Sequence, residues 1–389
     1  MSNEKTAKKA KKPNIFFRLL ALLVTAVLIL GALILVIHRD RLNLDALERW
    51  ITQRRVETGE TGQAQPFTHA GGSQLSVAYL KNGILLSSSS GAHYYSFSGE
   101  KYAEEILTME HPVLSASDNA GVVYDAGGQS LFLFRGTEEV FDLTLKGDAD
   151  LLAARVNDSG WLAVTAQESG YKGAVTVYNP QGEKVIQISL SSTFAVDAIL
   201  SPDCKTVAVV TIDQEAGAFR SDILFYPVNK TEPSSSIHLG SCVTLDLDYE
   251  SDRLWVLGED RLLTVDPDSN QVQSYLFGRS YLKGCNFGGN GFALLLLGRY
   301  RAGTANQAVT IGPDAVPMGS LSLSSQILSF DSAGSYCGLL SGSRLDLYDP
   351  NLVLTNSLAA TQGARYTSMQ DDGSALLADA QQAWLYIPD

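Results

Sequence analysis

Cysteine is scarce: the chain has four in 389 residues, Cys204, Cys242, Cys285 and Cys337. Four thiols so widely spaced build neither a disulfide scaffold nor a metal knuckle, and their spacing does not say whether they pair. Histidine is as sparse. His38, His69, His93, His111 and His238 form no HxH or HExxH spacing, so no metal-ligand set is written locally. His93, beside Tyr94, reads as structural or solvated. There is no GxSxG nucleophile elbow and no P-loop. The Asp-containing stretches lack the DxDxDG calcium loop with its distal Glu: Asp246-Leu247-Asp248 lies in a strand-like run, while Asp266-Pro267-Asp268 and Asp371-Asp372-Gly373 read as turns. Catalytic residues are therefore unknown from sequence, and neither a metal nor a cofactor is expected.

Basic residues are also in deficit, 29 Lys and Arg against 42 Asp and Glu. The imbalance divides along the chain. Residues 1–40 hold seven basic and two acidic residues, leaving 22 against 40, a formal charge of −18, for residues 41–389. A body so acidic repels nucleic acid and anionic headgroups, which excludes a nucleic-acid partner; only the basic amino-terminal stretch suits an anionic leaflet.

Residues 19–37 form an uncharged run of 19, rich in Leu, Val, Ile and Ala. At about 1.5 Å per residue it spans roughly the hydrocarbon core of a bilayer. A cleavable signal peptide has a shorter apolar core and a small-x-small cleavage site; here the run passes into Val36-Ile37-His38-Arg39-Asp40, which offers none. The expectation is a retained transmembrane helix at 19–37 behind a basic cytoplasmic tail, 1–18, with Lys5, Lys8, Lys9, Lys11, Lys12 and Arg18 on the inner side. Arg39, Arg41, Arg49, Arg54 and Arg55 beyond the run weaken that bias, but the large carboxyl-terminal body suits an N-in signal anchor.

Residues 38–56 read as a juxtamembrane amphipathic helix, with Asn43 as its cap and Leu44, Leu47 and Ile51 on one face. Residues 57–73 are a linker containing a possible closing strand near Phe67. From 74 to 389 helical periodicity gives way to a repeat: a turn, an apolar strand, a connection, and a second strand ending in Tyr or Phe. Its first turns fall at Gly83, Gly121, Gly160, Cys204, Asp252, Gly291, Gly334 and Gly373, spaced by 38, 39, 44, 48, 39, 43 and 39 residues. Asn179-Pro180, Asp266-Pro267, Gly312-Pro313 and Asp349-Pro350 mark recurring later turns. Eight units of this length predict an all-β, eight-bladed β-propeller, with seven blades or a sandwich as alternatives. The uninterrupted run at 293–297 is expected to be an inner strand packed on both faces. The eighth unit ends after its second hairpin strand, so the segment around Phe67 is expected to supply the missing outer strand.

Connection length singles out a face. From first turn to the end of the matched strand, units one, two, five, seven and eight span 14, 13, 13, 14 and 13 residues, but units three, four and six span 18, 22 and 20. The added residues, within 166–173, 213–221 and 298–306, include Tyr171, Lys172, Phe219, Arg220, Arg299, Tyr300 and Arg301. Loops tolerate insertion and carry binding, and Tyr and Arg are hot-spot residues. These seven are the candidate partner-binding residues.

The order of segments, the short helix at 43–51, and repeats such as Val156-Asn157-Asp158-Ser159-Gly160-Trp161-Leu162-Ala163-Val164 resemble an uncharacterised family of single-pass, propeller-like extracytoplasmic proteins of Gram-positive anaerobic bacteria. The resemblance implies an anchored propeller outside the membrane and brings no assigned activity with it. Likeness to WD-type repeats is weaker, since no unit ends in Trp-Asp. Three functions remain in play: a binding or scaffolding module for another envelope or membrane protein or an extracellular ligand; a propeller hydrolase or lyase working at the central channel; and a sensory subunit coupled to a membrane partner. Oligomeric state is not encoded legibly.

Overall fold

The computed structural model describes residues 58–388 other than 216 and 251, together with Thr25, which is helical. The chain forms two units, Met1–Ile51 and Thr52–Asp389, and all the described strands belong to the second. The run at 19–37, the basic tail and the segment 38–56 lie, Thr25 apart, outside the described residues. Among the described residues no helix is long and apolar enough to cross a membrane.

Eight antiparallel four-stranded sheets make up the second unit. The alternation of short apolar runs with Gly, Asn and Asp turns leaves each sheet with two apolar faces and no way to bury both alone. Packing the sheets radially, as blades, removes that problem. Strands are lettered a to d outward from the channel. The innermost strands, blades 1 to 8, are Ser76–Leu80, Pro112–Ala116, Leu151–Val156, Phe194–Leu200, Thr244–Glu250, Tyr281–Gly289, Ile327–Ala333 and Tyr366–Met369. Seven blades take their strands in sequence order. The eighth takes its outermost strand, Phe67–Thr68, from ahead of blade 1.

The core lies between blades. Val175 and Val177 of blade 3 pack with Val207 and Val209 of blade 4, and Ala208 and Val210 face Val256 and Leu263 of blade 5. Leu376 and Leu385 of blade 8 meet Ile84 and Leu86 of blade 1. The run 293–297 belongs to Phe292–Gly298, strand b of blade 6, an inner strand of its sheet that is buried along its whole length, as expected. Strands b and c have a neighbouring blade on each side and are largely buried, whereas strand a opens onto the channel and must carry polar side chains.

The seam between blades 8 and 1 is closed by main chain. Phe67 pairs with Ala383 and Thr68 with Gln382. Ala64 N donates to Leu385 O at 2.8 Å, Ile387 N to Gly62 O at 2.8 Å, and Trp384 Nε1 to Gln63 Oε1 at 3.1 Å. Gly62 has φ +73°, and a Cβ there would lie 2.3 Å from Ile387 O, so only glycine allows this approach. Phe67 is half-buried rather than enclosed: its ring centroid is 5.5 Å from that of Tyr95.

In each blade the a–b and c–d turns open on one end of the ring, the a–b face. The b–c connections and the links to the next blade open on the other, the b–c face. Strand c of blade 8 (Gln382–Tyr386) runs toward the a–b face, and Phe67–Thr68 is antiparallel to it. The chain therefore enters the ring from the a–b face.

Candidate functional site

The three lengthened connections all lie on the b–c face, but they are built differently. In blade 3 a true loop joins Leu162–Ala166 to Ala174–Tyr178. It exposes Tyr171 by 50%. Lys172 Nζ donates to Ser192 O at 2.6 Å and sits 4.8 Å from the Phe194 ring centroid and 3.8 Å from Asp213 Oδ1. In blade 4 the added residues are not a loop: they lengthen strands b and c, Thr206–Glu215 and Ala218–Pro227, which stay paired to Glu215↔Ala218. Alternating β-formers such as Val210, Ile212, Phe219 and Ile223 let the ladder continue past the rim. Phe219 is 59% exposed on this ribbon, and Arg220 Nε lies 3.0 Å from Asp222 Oδ2. In blade 6 residues 299–306 form a loop in which Tyr300 is 70% exposed, with Arg299 and Arg301 exposed beside it.

The structure thus puts Tyr171 and Lys172 on blade 3 and Phe219 and Arg220 on the adjacent blade 4, with Lys172 reaching Asp213 across the boundary. Arg220 shares the side of Asp213, its partner in register, and Phe219 lies on the other side of the ribbon. Arg299, Tyr300 and Arg301 sit apart, beyond blade 5. Sequence reading missed the residues between and beside them: Phe194, Leu245 and Tyr281, each exposed at the start of a strand a. Their signal was an aromatic or aliphatic residue opening a strand just after a turn.

The channel is the second candidate. It encloses about 900 Å³ and is lined by strand a of every blade. Among the described residues Arg155 is the only cation lining it, against the carboxylates Asp118, Asp158, Asp246, Asp248, Glu250, Asp331 and Asp371. Arg155 Nε donates to Asp197 Oδ2 at 2.8 Å, and its Nη2 to Asp246 Oδ1 at 2.6 Å, tying blades 3, 4 and 5. Burial opposes the guanidinium charge, yet the two carboxylates hold its pKa above the ordinary value. Burial pushes Asp197 up while Arg155 pulls it back. Asp248 has no such ion pair, and burial takes its carboxyl to about 7. Asp331 is raised by burial to about 6; it accepts Met369 N at 2.7 Å and Asn286 Nδ2, tying blades 6, 7 and 8. At the a–b mouth burial, then Asp371, Asp158 and Glu250, raise Asp118 to about 6.

Chemically, the channel wall is rich in carboxylates, with the Arg155 guanidinium as its one cationic side chain among the described residues. All four cysteines are free thiols. Burial, then Asp246 and Asp248, raise the Cys285 thiol well above its usual value, which keeps it protonated and a poor nucleophile near neutral pH. His93 is buried away from the channel, its Nδ1 3.2 Å from Glu104. Among the described residues no group of three or more His, Cys, Asp or Glu side chains is arranged to hold a metal ion.

Solved structures share the architecture. The C-terminal WD40 domain of Sif2 matches with a TM-score of 0.59 at 12% identity, covering 84% of this chain and 99% of that one. The Dos1 propeller matches at 0.56 and 12%, covering 83% and 94%, and BamB from Moraxella catarrhalis at 0.52 and 12%, covering 84% and 99%. At such identity the likeness is one of fold alone. No curated protein matches. A family model does match, over residues 55–262, from ahead of the closing strand into blade 5, and the chain accordingly belongs to the family of unknown function DUF5711.

Proposed function

We propose that this protein is a membrane-anchored, extracytoplasmic binding or scaffolding module that engages another envelope or membrane protein through the b–c face of its propeller. The anchor in this reading is the apolar run 19–37, with the amino terminus cytoplasmic. The observation that carries the binding role is the arc of exposed side chains over blades 3 to 6: Tyr171, Phe194, Phe219, Leu245, Tyr281 and Tyr300. Soluble surfaces rarely keep large apolar groups together without use. Here most of them stand on strand ends and a paired ribbon, so little conformational entropy is lost on docking.

Photo-crosslinking in native membranes tests it. With a photoreactive residue at Tyr171 or Tyr300 of the full chain, the same protein adduct is expected from both positions, and none from Lys205 on the a–b face. Replacing Arg299, Tyr300 or Arg301 by alanine should lower the Tyr171 adduct by about 3–10-fold, the effect of losing ~1 kcal/mol or slightly more at an interface, with unchanged melting. Equal capture by all three variants removes the case for the blade 6 loop.

A channel enzyme is the second reading, favoured by one observation: Asp248, with a carboxyl near 7, lies in the range suited to general acid–base work. It lacks an accompanying nucleophile or metal set among the described residues, so binding is preferred.

A further inference from the structure

Charge on the b–c face is segregated. From residue 269 to 313 the chain has no Asp or Glu, yet it carries Arg279, Lys283, Arg299 and Arg301, in a protein of net charge −13. All four fall at one end of blade 6. Arg279 lies in the link from blade 5, Lys283 near the start of strand a, and the other two in the b–c loop. The turn at Phe277, where Ser280 N donates to Phe277 O at 3.0 Å, is pinned by the buried Phe277 ring. Lys283 Nζ donates to Arg301 O at 2.7 Å, and Asn306 N to Leu297 O at 2.9 Å, so the loop is tied at both ends.

Elsewhere several arginines are neutralised internally, Arg155 with Asp197, Arg220 with Asp222, Arg261 with Asp260 and Arg344 with Asp346, while Arg135 and Arg365 stand singly rather than in a group. The side chains of Arg279, Arg299 and Arg301 are exposed and make no ion pair among the described residues. Tyr281, 46% exposed, is in register with Gly298 at the base of the loop, beside them.

On the basis of the proposed binding role, we infer that this patch recognises an acidic segment of the protein partner. Guanidinium groups take carboxylates in a fixed fork geometry, and tyrosines beside them supply apolar contact. The acidic remainder of the ring repels such a segment everywhere else, which fixes where it docks. A broad anionic lipid surface fits less well. It would press against Asp213, Glu259, Asp260 and Asp379 on the same face, and the chain enters the ring from the opposite one.

The test uses the full chain purified in neutral detergent, with a fluorescein-labelled decaglutamate peptide, a decalysine peptide, and phosphatidylglycerol vesicles. Decaglutamate should bind, at least 10-fold more weakly when Arg279, Arg299 and Arg301 are all changed to Gln, and more weakly as salt shortens the Debye length below about 10 Å. Arg344→Gln, which removes a paired charge on the same face, should bind as wild type, as should the triple variant toward decalysine. No decaglutamate binding, or equal binding by the triple variant, overturns the inference. So does vesicle binding that the triple variant loses while decaglutamate binding is unmoved. If the charge inference fails while the Tyr300 photo-adduct persists, the binding role stands and only its acidic specificity falls.

Discussion

A fragment beginning at Ser73 is expected to melt about 5–10 °C below one beginning at Glu57, and to self-associate. The shorter chain loses the Phe67–Thr68 strand, the Ala64–Leu385 and Gly62–Ile387 hydrogen bonds, and the Gln63 acceptor of the buried Trp384 indole. Half-buried Phe67 contributes about 2 kcal/mol, below the 3–5 kcal/mol typical of an enclosed ring. Net main-chain hydrogen bonds at about 1 kcal/mol each bring the total to roughly 3–5 kcal/mol, which at about 2 °C per kcal/mol for a domain of this size gives the stated range. The loss also bares strand c of blade 8 as an open edge, a template for pairing with other chains. Phe67→Ala in the longer fragment should show about half the shift without self-association. Removing residues 383–389 should cost more, because Trp384 is buried. Equal melting of the two fragments, both monomeric, would refute the role given to this seam.

Arg155→Met is the substitution with the next largest effect. It leaves Asp197, buried in the wall, and Asp246 without their shared cation, a loss of about 3–5 kcal/mol at pH 8. Changing Asp197 and Asp246 to Asn in the same chain should recover most of it, since no buried charge is then unpaired. Wild-type stability should itself fall as pH rises. A carboxyl whose folded pKa is raised stabilises the fold fully below its unfolded value, near 4, and loses that contribution as pH climbs through the folded value. For Asp248, at about 7, the loss between pH 6 and 8 is about 1.4 kcal/mol by this linkage. Asp331 and Asp118, both at about 6, add smaller amounts over the lower part of the window. His93, held neutral by burial, acts in the opposite sense and mainly below its unfolded value near 6.5, so the window above pH 7 isolates the carboxylates. Urea midpoints measured from pH 6 to 8 should decline for the wild type and less steeply for Asp248→Asn. The remaining slope comes from Asp331, Asp118 and Glu139, the last raised by burial to about 7. A flat wild-type profile would show that Asp248 is not held neutral.

Features set by local forces were the ones legible in the sequence. The eight blades could be counted because each first turn, from Gly83 to Gly373, needs a turn residue whatever its neighbours do. Connection length was legible too, but its form was not. Residues 213–221 look like an insertion, and only pairing across the hairpin, as in Asp213↔Arg220, makes them strand. The channel stayed hidden because its partners are in different blades. Arg155 meets Asp197 at a separation of 42 residues and Asp246 at 91, and Asn286 meets Asp331 at 45. Those separations are about one and two repeats, so setting the strand a segments beneath one another brings these polar residues into rough alignment. Asp246 and Asp248 alternate along one strand, and nothing local in the sequence says that both line the channel. The segments 1–18, 19–37 and 38–56 rest on composition and periodicity alone.

The closing strand has a consequence for how the molecule is made. Trp384 donates to Gln63 across 321 residues, so the first strand of the ring to be synthesised must wait for the last. Every other blade can zip from neighbours within its own 30 to 50 residues, roughly the repeat length of such folds, while the seam demands the longest loop closure in the domain. Ring closure is thus the natural final step of folding. Until it occurs, the nascent chain carries two unsatisfied edges that fit each other, and equally fit those of a second chain; exchange of this strand between two copies is the characteristic way for this fold to go astray.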